Sequence, residues 1–132
     1  SPIRNINFEE EQKLKPFDFE NRFPEVMDNG GFDTIVGNPP YIDSEEMVKS
    51  NPVTRNYCNN KMVSAKGNWD IFCVFIEKAI SLLKKEGKLG YIIPNKLLSA
   101  EYACSIRKYC SSIILMRLLI IPQFLCSSVK EK

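Results

Sequence analysis

The residues with the clearest capacity for chemistry are Asn38, Pro39, Pro40 and Tyr41, which follow the short apolar segment 32–36. Proline fixes φ and has no N–H, so this turn presents carbonyl oxygens and few donors. The residue before a proline is held in extended geometry, which keeps Asn38 and Pro39 out of a helix. A rigid cluster of acceptors beside a flat ring suits a planar substrate that carries an amino group.

The amino group of a heterocycle such as adenine is a poor nucleophile, because its lone pair is delocalised into the ring. The Asn38 side-chain oxygen and the Pro39 carbonyl oxygen would accept its two hydrogens, which frees the lone pair to attack an activated methyl group. Tyr41 would stack on the ring, and stacking of this kind contributes roughly 1–3 kcal/mol. This chemistry needs neither a covalent intermediate nor a histidine.

Histidine is in fact absent from the chain. Its absence excludes Ser-His-Asp and Cys-His hydrolases and His-containing metal sites built from this chain alone, and the sequence predicts no metal site. The five cysteines form no C-x-x-C pair, and their odd number argues against a disulfide framework. We therefore expect a reducing, cytoplasmic environment.

The composition is that of one globular domain with a modest core. The 132 residues are 44% hydrophobic and 26% charged, and the net charge of +2 does not by itself indicate nucleic acid. No apolar run is long enough to cross a membrane and no signal peptide opens the chain, so no membrane partner is predicted. The chain begins with Ser1 rather than methionine, which suggests a processed product or a piece of something longer.

The apolar pattern predicts strands that alternate with helices. They are a strand at 16–20, a helical turn at 23–27, a glycine turn at 29–31, a buried strand at 32–36, a loop over 43–67, a helix over 68–86, a strand at 89–93, a helix over 99–110 capped by Ser99, and a strand at 113–121. The loop would be a lid or a disordered segment. The first long helix would be capped by Asn68 or Asp70 and stopped by Gly87, with Lys84 and Lys85 complementing its dipole.

Strands and helices in this order, with compact connections, predict an α/β fold with a parallel sheet. Ligands of such sheets bind beyond the carboxyl ends of the strands. The Asn-Pro-Pro-Tyr turn lies at such an end.

The chain resembles the large adenine-specific (N6) DNA methyltransferases of type IIG restriction-modification systems. Asn-Pro-Pro-Tyr is the catalytic motif of methyltransferases that transfer methyl from S-adenosylmethionine to amino groups. The resemblance covers about residues 16–110 and rests on an ordered set of further segments, which is more specific than the motif alone: FDF (17–19), FPEV (23–26), GGFD (30–33), DIFCVFIE (70–77), GKL (87–89) and IPNKLLSAEY (93–102).

The resemblance implies a partial Rossmann-like fold, S-adenosylmethionine as cofactor and DNA as partner. It implies that Asn38 and Pro39 hold the amino group of a flipped adenine and that Tyr41 stacks on the base, with Pro40 completing the substrate-binding turn. Phe75, and with it Asp70 or Phe72, lies in the segment that lines the adenine of the methyl donor. Phe75 could equally be a core aromatic of an amphipathic helix.

Two parts of the family pattern are missing. No G-x-G occurs, and the Gly-rich donor loop and its acidic ribose ligand lie upstream of the catalytic motif in the family. After Cys110 the sequence departs from the pattern, with Phe124 as a candidate for the second base-stacking aromatic and no DNA-recognition domain. We therefore expect residues 1–132 to be the C-terminal half of a catalytic domain, inactive alone, with an open sheet edge that permits self-association.

Two other functions stay open. Glutamine-amide methyltransferases acting on translation factors also use Asn-Pro-Pro-Tyr, because an amide nitrogen poses the same chemical problem. The FPEV segment and the long segment 43–67 favour DNA as the substrate. The chain could also be a non-catalytic remnant or an interaction module.

Overall fold

The structure of the chain is a computed structural model that describes Glu9 and residues 13–112. The predicted strand at 113–121 and the candidate aromatic Phe124 lie outside the described residues. The elements are α1 (Phe19–Arg22), α2 (Pro24–Asp28), β1 (Phe32–Gly37), α3 (Ser44–Ser50), α4 (Pro52–Lys61), α5 (Ile71–Leu82), β2 (Leu83–Tyr91), α6 (Lys96–Ser99), a 3-10 turn (Glu101–Ala103) and α7 (Cys104–Ser112).

A parallel pair of strands organises the described chain. β1 and β2 form a two-stranded sheet in which Ile35 pairs with Leu89 and Gly37 pairs with Tyr91. A parallel pair needs a crossover, and the helices α3 to α5 supply it. This confirms the predicted α/β class and is the arrangement of a partial Rossmann-like methyltransferase fold.

The segment 16–20 is not the strand that its alternation suggests. Asp18 caps the one-turn helix α1, because its carboxylate accepts a hydrogen bond of 3.0 Å from the Asn21 N–H. The alternating aromatics still meet, with the ring centroids of Phe17 and Phe19 4.7 Å apart. The predicted helical turn at 23–27 is confirmed as α2, which begins at Pro24.

The glycine turn at 29–31 is confirmed and brings the chain close to the end of α5. Gly30 and Gly31 have φ values of 93° and 116°, a region that side chains strongly disfavour. A Cβ on Gly31 would lie 2.4 Å from the Leu82 carbonyl oxygen. Only glycine therefore allows β1 to start alongside the end of α5.

The prediction of a long loop over 43–67 is wrong, because two helices occupy most of it. Asp43 caps α3 by accepting from the Glu46 N–H at 2.8 Å, and Asn51 caps α4 by accepting from the Thr54 N–H at 3.3 Å. These helices are short and bury few side chains, chiefly Met47 and Cys58, so they leave no sustained apolar period. Met47 and Cys58 pack with Ala65 and Trp69 in a small second core.

The long helix is shorter than predicted, because strand pairing replaces its last turn. α5 begins after the predicted cap Asp70 but ends at Leu82, and Leu83 already pairs with Phe32 of β1. Lys84 forms a salt bridge with Asp33 of β1. Gly87 therefore lies within β2 and does not stop the helix, and the two lysines do not complement its dipole.

The main core lies between α5, β2 and the C-terminal helices. It contains Phe72, Cys73, Ile76, Ala79, Ile80, Leu89, Tyr91, Ile93, Leu97, Ala103 and Ile106. The predicted helix at 99–110 corresponds to the 3-10 turn followed by α7, but Ser99 does not cap it. The Arg107 guanidinium links α7 to the preceding segment by donating to the carbonyls of Leu97 and Ala100, at 2.9 and 2.8 Å.

The expectation that β1 is buried is wrong for the described chain. Val36 is 76% exposed and Thr34 is also exposed, whereas Ile35 packs against the core. Among residues 13–112, β2 is the only strand that pairs with β1, so one edge of β1 has no partner strand there. No helix in the described part of the chain is long and apolar enough to cross a membrane.

Candidate active site

The Asn-Pro-Pro-Tyr turn leaves the sheet at the carboxyl end of β1, as predicted. The Ile92 N–H, just beyond β2, donates to the Gly37 carbonyl at 3.1 Å and closes the end of the sheet. A Cβ on Gly37 would lie 3.1 Å from the Tyr91 ring, so glycine at this position gives that ring room to pack. The Asn-Pro-Pro-Tyr turn therefore begins directly after a residue that is hydrogen-bonded to the chain beyond β2.

Asn38 and Tyr41 are brought together on the surface of this turn. The Tyr41 hydroxyl lies 3.0 Å from Asn38 Oδ1 and 2.7 Å from the Ile92 carbonyl oxygen. Asn38 and Pro40 are exposed and Pro39 is buried, which matches a turn anchored by one proline with the amide facing outward. Tyr41 is 36% exposed, so part of its ring is available to a ligand.

A fully buried ring supports Tyr41 from behind. The Phe72 and Tyr41 rings form a T-shaped contact with a centroid distance of 6.3 Å and an angle of 81°, and the Tyr102 ring lies 6.4 Å from that of Phe72. Burial, together with the nearby Asp70 carboxylate, raises the pKa of Tyr102 to about 12. Tyr102 therefore stays protonated at neutral pH.

Asp70 connects the turn to the start of α5. Its Oδ1 accepts from the Ile42 N–H, next to Tyr41, and from the Phe72 N–H, each at 3.2 Å. The Ile71 N–H donates in return to the Ile42 carbonyl at 2.9 Å. Burial raises the pKa of the Asp70 carboxyl, and these two hydrogen bonds oppose the rise.

The three residues predicted near the methyl donor lie on or beside α5 but differ in exposure. Phe75 is 40% exposed, although Phe72 and Ile76 on the same helix are fully buried. An exposed aromatic ring on this amphipathic helix is compatible with a ligand-lining role. Phe72 has no exposed surface and contacts the Tyr41 ring, whereas Asp70 is half-buried and accepts from the Ile42 N–H of the turn.

Several contacts that shape the site could not be predicted from the sequence. The Ile92 carbonyl reaches Tyr41 through the backbone, which no residue type can signal. Ser44 donates from Oγ to Asn68 Oδ1 at 2.9 Å and from its N–H to the Trp69 carbonyl at 2.8 Å, fixing the chain after the turn. The Asp43 cap was the recognisable signal for this region, since Asp followed three residues later by Glu is a helix-start pattern.

An open groove of about 420 Å³ is lined in part by Tyr102, whose ring contacts Phe72. Its lining residues are Lys66, Gly67, Asn68, Glu101, Tyr102 and Ser105. The lining carries both a cation and a carboxylate, so its charge selects no single class of ligand.

Metal and thiol chemistry find no support in the part of the chain that the structure describes. No group of three His, Cys, Asp or Glu side chains converges there. Burial raises the pKa of Cys58 to about 11 and that of Cys73 to about 12, so neither thiol ionises at neutral pH.

A two-stranded parallel sheet with this turn at the carboxyl end of a strand is the arrangement of a partial Rossmann-like methyltransferase fold. Residues 2–120 match the Eco57I restriction-modification methylase family, and the chain belongs to that family.

Similar proteins are type II restriction-modification enzymes. The type II restriction enzyme and methyltransferase RM.Eco57I of Escherichia coli is 36% identical over 99 residues, which are 75% of this chain and 10% of that protein. The type II methyltransferase M.HincII of Haemophilus influenzae is 32% identical over 71% of this chain and 19% of its own length. M.AccI of Acinetobacter calcoaceticus is 26% identical over 70% of this chain and 17% of its length. The chain thus spans about a tenth to a fifth of these relatives, and no solved structure matches it.

Proposed function

We propose that this chain is part of a DNA adenine N6-methyltransferase of a restriction-modification system. The observation that carries the proposal is the exposed Asn38 amide beside the exposed Tyr41 ring, at the end of β1, in a chain of the Eco57I methylase family. The substrate would be an adenine flipped out of DNA. Flipping removes the base from its stack, which is how its amino group can reach an acceptor in the protein.

The turn would act by hydrogen bonding to the reacting amino group. Asn38 Oδ1 and the Pro39 carbonyl oxygen accept its two hydrogens, so the nitrogen becomes more tetrahedral and its lone pair becomes available. S-adenosylmethionine, when bound, supplies the activated methyl group. Stacking on Tyr41 contributes roughly 1–3 kcal/mol and offsets much of the cost of extruding the base.

Phe75 would line the adenine of the methyl donor, since its ring is the exposed aromatic on α5. Asp70 and Phe72 contribute by holding α5 against the turn rather than by direct contact with the donor. We expect Phe75→Ala in the full-length parent to weaken S-adenosylmethionine binding in calorimetry by about tenfold, with Phe17→Ala as an exposed aromatic control. Equal losses in the two variants would remove Phe75 from the donor site.

Residues 1–132 would form the C-terminal half of a catalytic domain and would be inactive without the rest. The support is the absence of a G-x-G loop from the sequence and an edge of β1 that no strand within residues 13–112 covers. Such an edge can pair with another chain, so the isolated chain is expected to self-associate. Micromolar binding of S-adenosylmethionine by the 132-residue chain would contradict the incomplete donor site, and a monomer in sedimentation would contradict self-association.

The decisive experiment supplies labelled S-adenosylmethionine to the full-length parent with DNA and with total protein as acceptors. We expect label in DNA, recovered as N6-methyladenine after digestion to nucleosides. Label in methylcytosine would change the target base, and label in a protein glutamine would favour the amide-methyltransferase alternative. No transfer by a folded parent would leave the non-catalytic interpretation.

A further inference from the structure

The Tyr41 hydroxyl closes a ring of contacts around the turn. Gly37 accepts from the Ile92 N–H at 3.1 Å, and the Ile92 carbonyl accepts from the Tyr41 hydroxyl at 2.7 Å. The same hydroxyl lies 3.0 Å from Oδ1 of Asn38, the residue after Gly37. The backbone N–H and the carbonyl of the same residue, Ile92, thereby both hold the turn against the end of β2.

The Tyr41 hydroxyl is the only donor for two oxygen atoms in this cycle of hydrogen bonds. A tyrosine hydroxyl has one proton, whereas the Ile92 carbonyl and Asn38 Oδ1 are both acceptors. The two oxygens therefore share this proton in a three-centre hydrogen bond, whose shorter arm is on the Ile92 carbonyl. The Ile92 carbonyl fixes the position of the hydroxyl, and the hydroxyl in turn faces the oxygen rather than the NH₂ group of Asn38.

The orientation of the Asn38 amide matters for the proposed chemistry. An amide that rotates by half a turn presents NH₂ in place of oxygen, and NH₂ cannot accept a hydrogen from the target amino group. With Oδ1 fixed by the hydroxyl, the oxygen keeps capacity for a second hydrogen bond, since a carbonyl oxygen accepts two. Asn38 is exposed, so this contact with the hydroxyl, rather than tight packing, favours the orientation of its amide.

We propose that the Tyr41 hydroxyl is a positioning group that holds the oxygen of Asn38 toward the reacting amino group. This role is separate from stacking by the Tyr41 ring, and it rests on the proposed methyltransferase function. It divides one side chain into two parts, a ring that contacts the base and a hydroxyl that acts through Asn38.

Tyr41→Phe in the full-length parent tests the proposal, because it keeps the ring and removes the hydroxyl. We expect the single-turnover rate of methyl transfer at saturating DNA and S-adenosylmethionine to fall about threefold to tenfold, the range for loss of one hydrogen bond. DNA affinity, and the fluorescence of 2-aminopurine placed at the target position as a report of base extrusion, should change by less than about twofold because the ring is retained. A rate effect without a binding or extrusion effect is the signature of positioning.

Tyr102→Phe is the matched control, since that ring also meets Phe72 edge-on, at 6.4 Å against 6.3 Å for Tyr41. Its single-turnover rate should stay within about twofold of the wild type. A Tyr41→Phe rate within twofold of the wild type would overturn the proposal and leave the methyltransferase function intact. A rate loss matched by weaker binding or lost 2-aminopurine signal would also overturn it, by assigning the hydroxyl to base capture. Absence of methyl transfer by the wild-type parent would instead refute the proposed function itself.

Discussion

Asp70→Ala should destabilise the chain by more than the loss of an ordinary helix cap. The Asp70 carboxylate caps α5 through the Phe72 N–H and also accepts from the Ile42 N–H, each at 3.2 Å. Loss of a cap costs about 1 kcal/mol, and loss of the second hydrogen bond adds about 1 kcal/mol. We therefore expect the free energy of unfolding to fall by about 2 kcal/mol.

Urea unfolding followed by tryptophan fluorescence measures this cost directly. Trp69 is the single tryptophan of the chain, it is fully buried, and it precedes Asp70. Asp43→Ala is the control, because Asp43 caps α3 through one N–H, that of Glu46. Its expected cost is about 1 kcal/mol. An Asp70→Ala cost no larger than that of Asp43→Ala would refute the inference that Asp70 anchors the turn to α5.

Asp70→Asn separates the charge of Asp70 from its role as an acceptor. Asparagine caps helices about as well as aspartate, so the hydrogen bonds are retained. Burial raises the Asp70 pKa, so the folded state holds the proton more tightly than the unfolded state does. The Asp70 contribution to stability is therefore greatest below its usual pKa of 3.8 and falls as the pH rises through its folded-state pKa. The stability of Asp70→Asn relative to the wild type should increase from acidic to neutral pH, and a decrease would contradict the direction of the shift.

Three further predictions concern other parts of the chain. In the full-length parent, Asn38→Ala should lower the rate of methyl transfer about 100-fold or more, because an acceptor of the reacting amino group is lost. DNA binding in a mobility-shift assay should persist, and an unchanged turnover would exclude Asn38 from catalysis. Glu77→Ala should lower the free energy of unfolding in urea by about 3 kcal/mol, because the buried carboxylate accepts from the N–H groups of Val63 and Ser64 at 2.9 and 2.7 Å. Glu77→Gln keeps one acceptor oxygen and should lower it by about half as much; equal losses in the two variants would contradict this account. Gly31→Ala should destabilise the fold in thermal unfolding more than Gly67→Ala does. Both glycines have positive φ, but of the two only Gly31 would place its Cβ against backbone, 2.4 Å from the Leu82 oxygen. Gly67→Ala should lower the free energy of unfolding by about 1 kcal/mol, and a smaller loss for Gly31→Ala would show that the end of α5 can shift to make room.

Local chemistry made several elements predictable from sequence. Pro24 at a helix start, the Gly30-Gly31 turn and the Asp70 cap are each dictated by backbone preferences of one or two residues, and the structure has all three. The placement of Asn38 at the end of a strand followed from the apolar segment before two prolines. These features do not depend on distant parts of the chain.

Predictions failed where contacts outside an element, or too few buried residues within it, made the local pattern misleading. The pattern of 68–86 continues as a helix by apolar spacing, but pairing with Phe32 of β1 begins a strand at Leu83. The segment 43–67 lacks a period because α3 and α4 each bury few side chains, which pack with the nearby Trp69. In the first case the partner strand lies far away in sequence, so its contribution is invisible to a local pattern. In the second case each helix buries too few residues to leave a pattern at all.

The sequence by itself determined the residue types of the site, its position after a strand and the family to which the chain belongs. Only the tertiary structure decided that the Tyr41 hydroxyl meets Asn38 and the Ile92 carbonyl, and that Phe75 is exposed while Phe72 is buried. The reason is physical. Residue type fixes which groups can donate, accept or stack, whereas their distances depend on a parallel pairing between strands that are about fifty residues apart in the chain, such as Ile35 with Leu89.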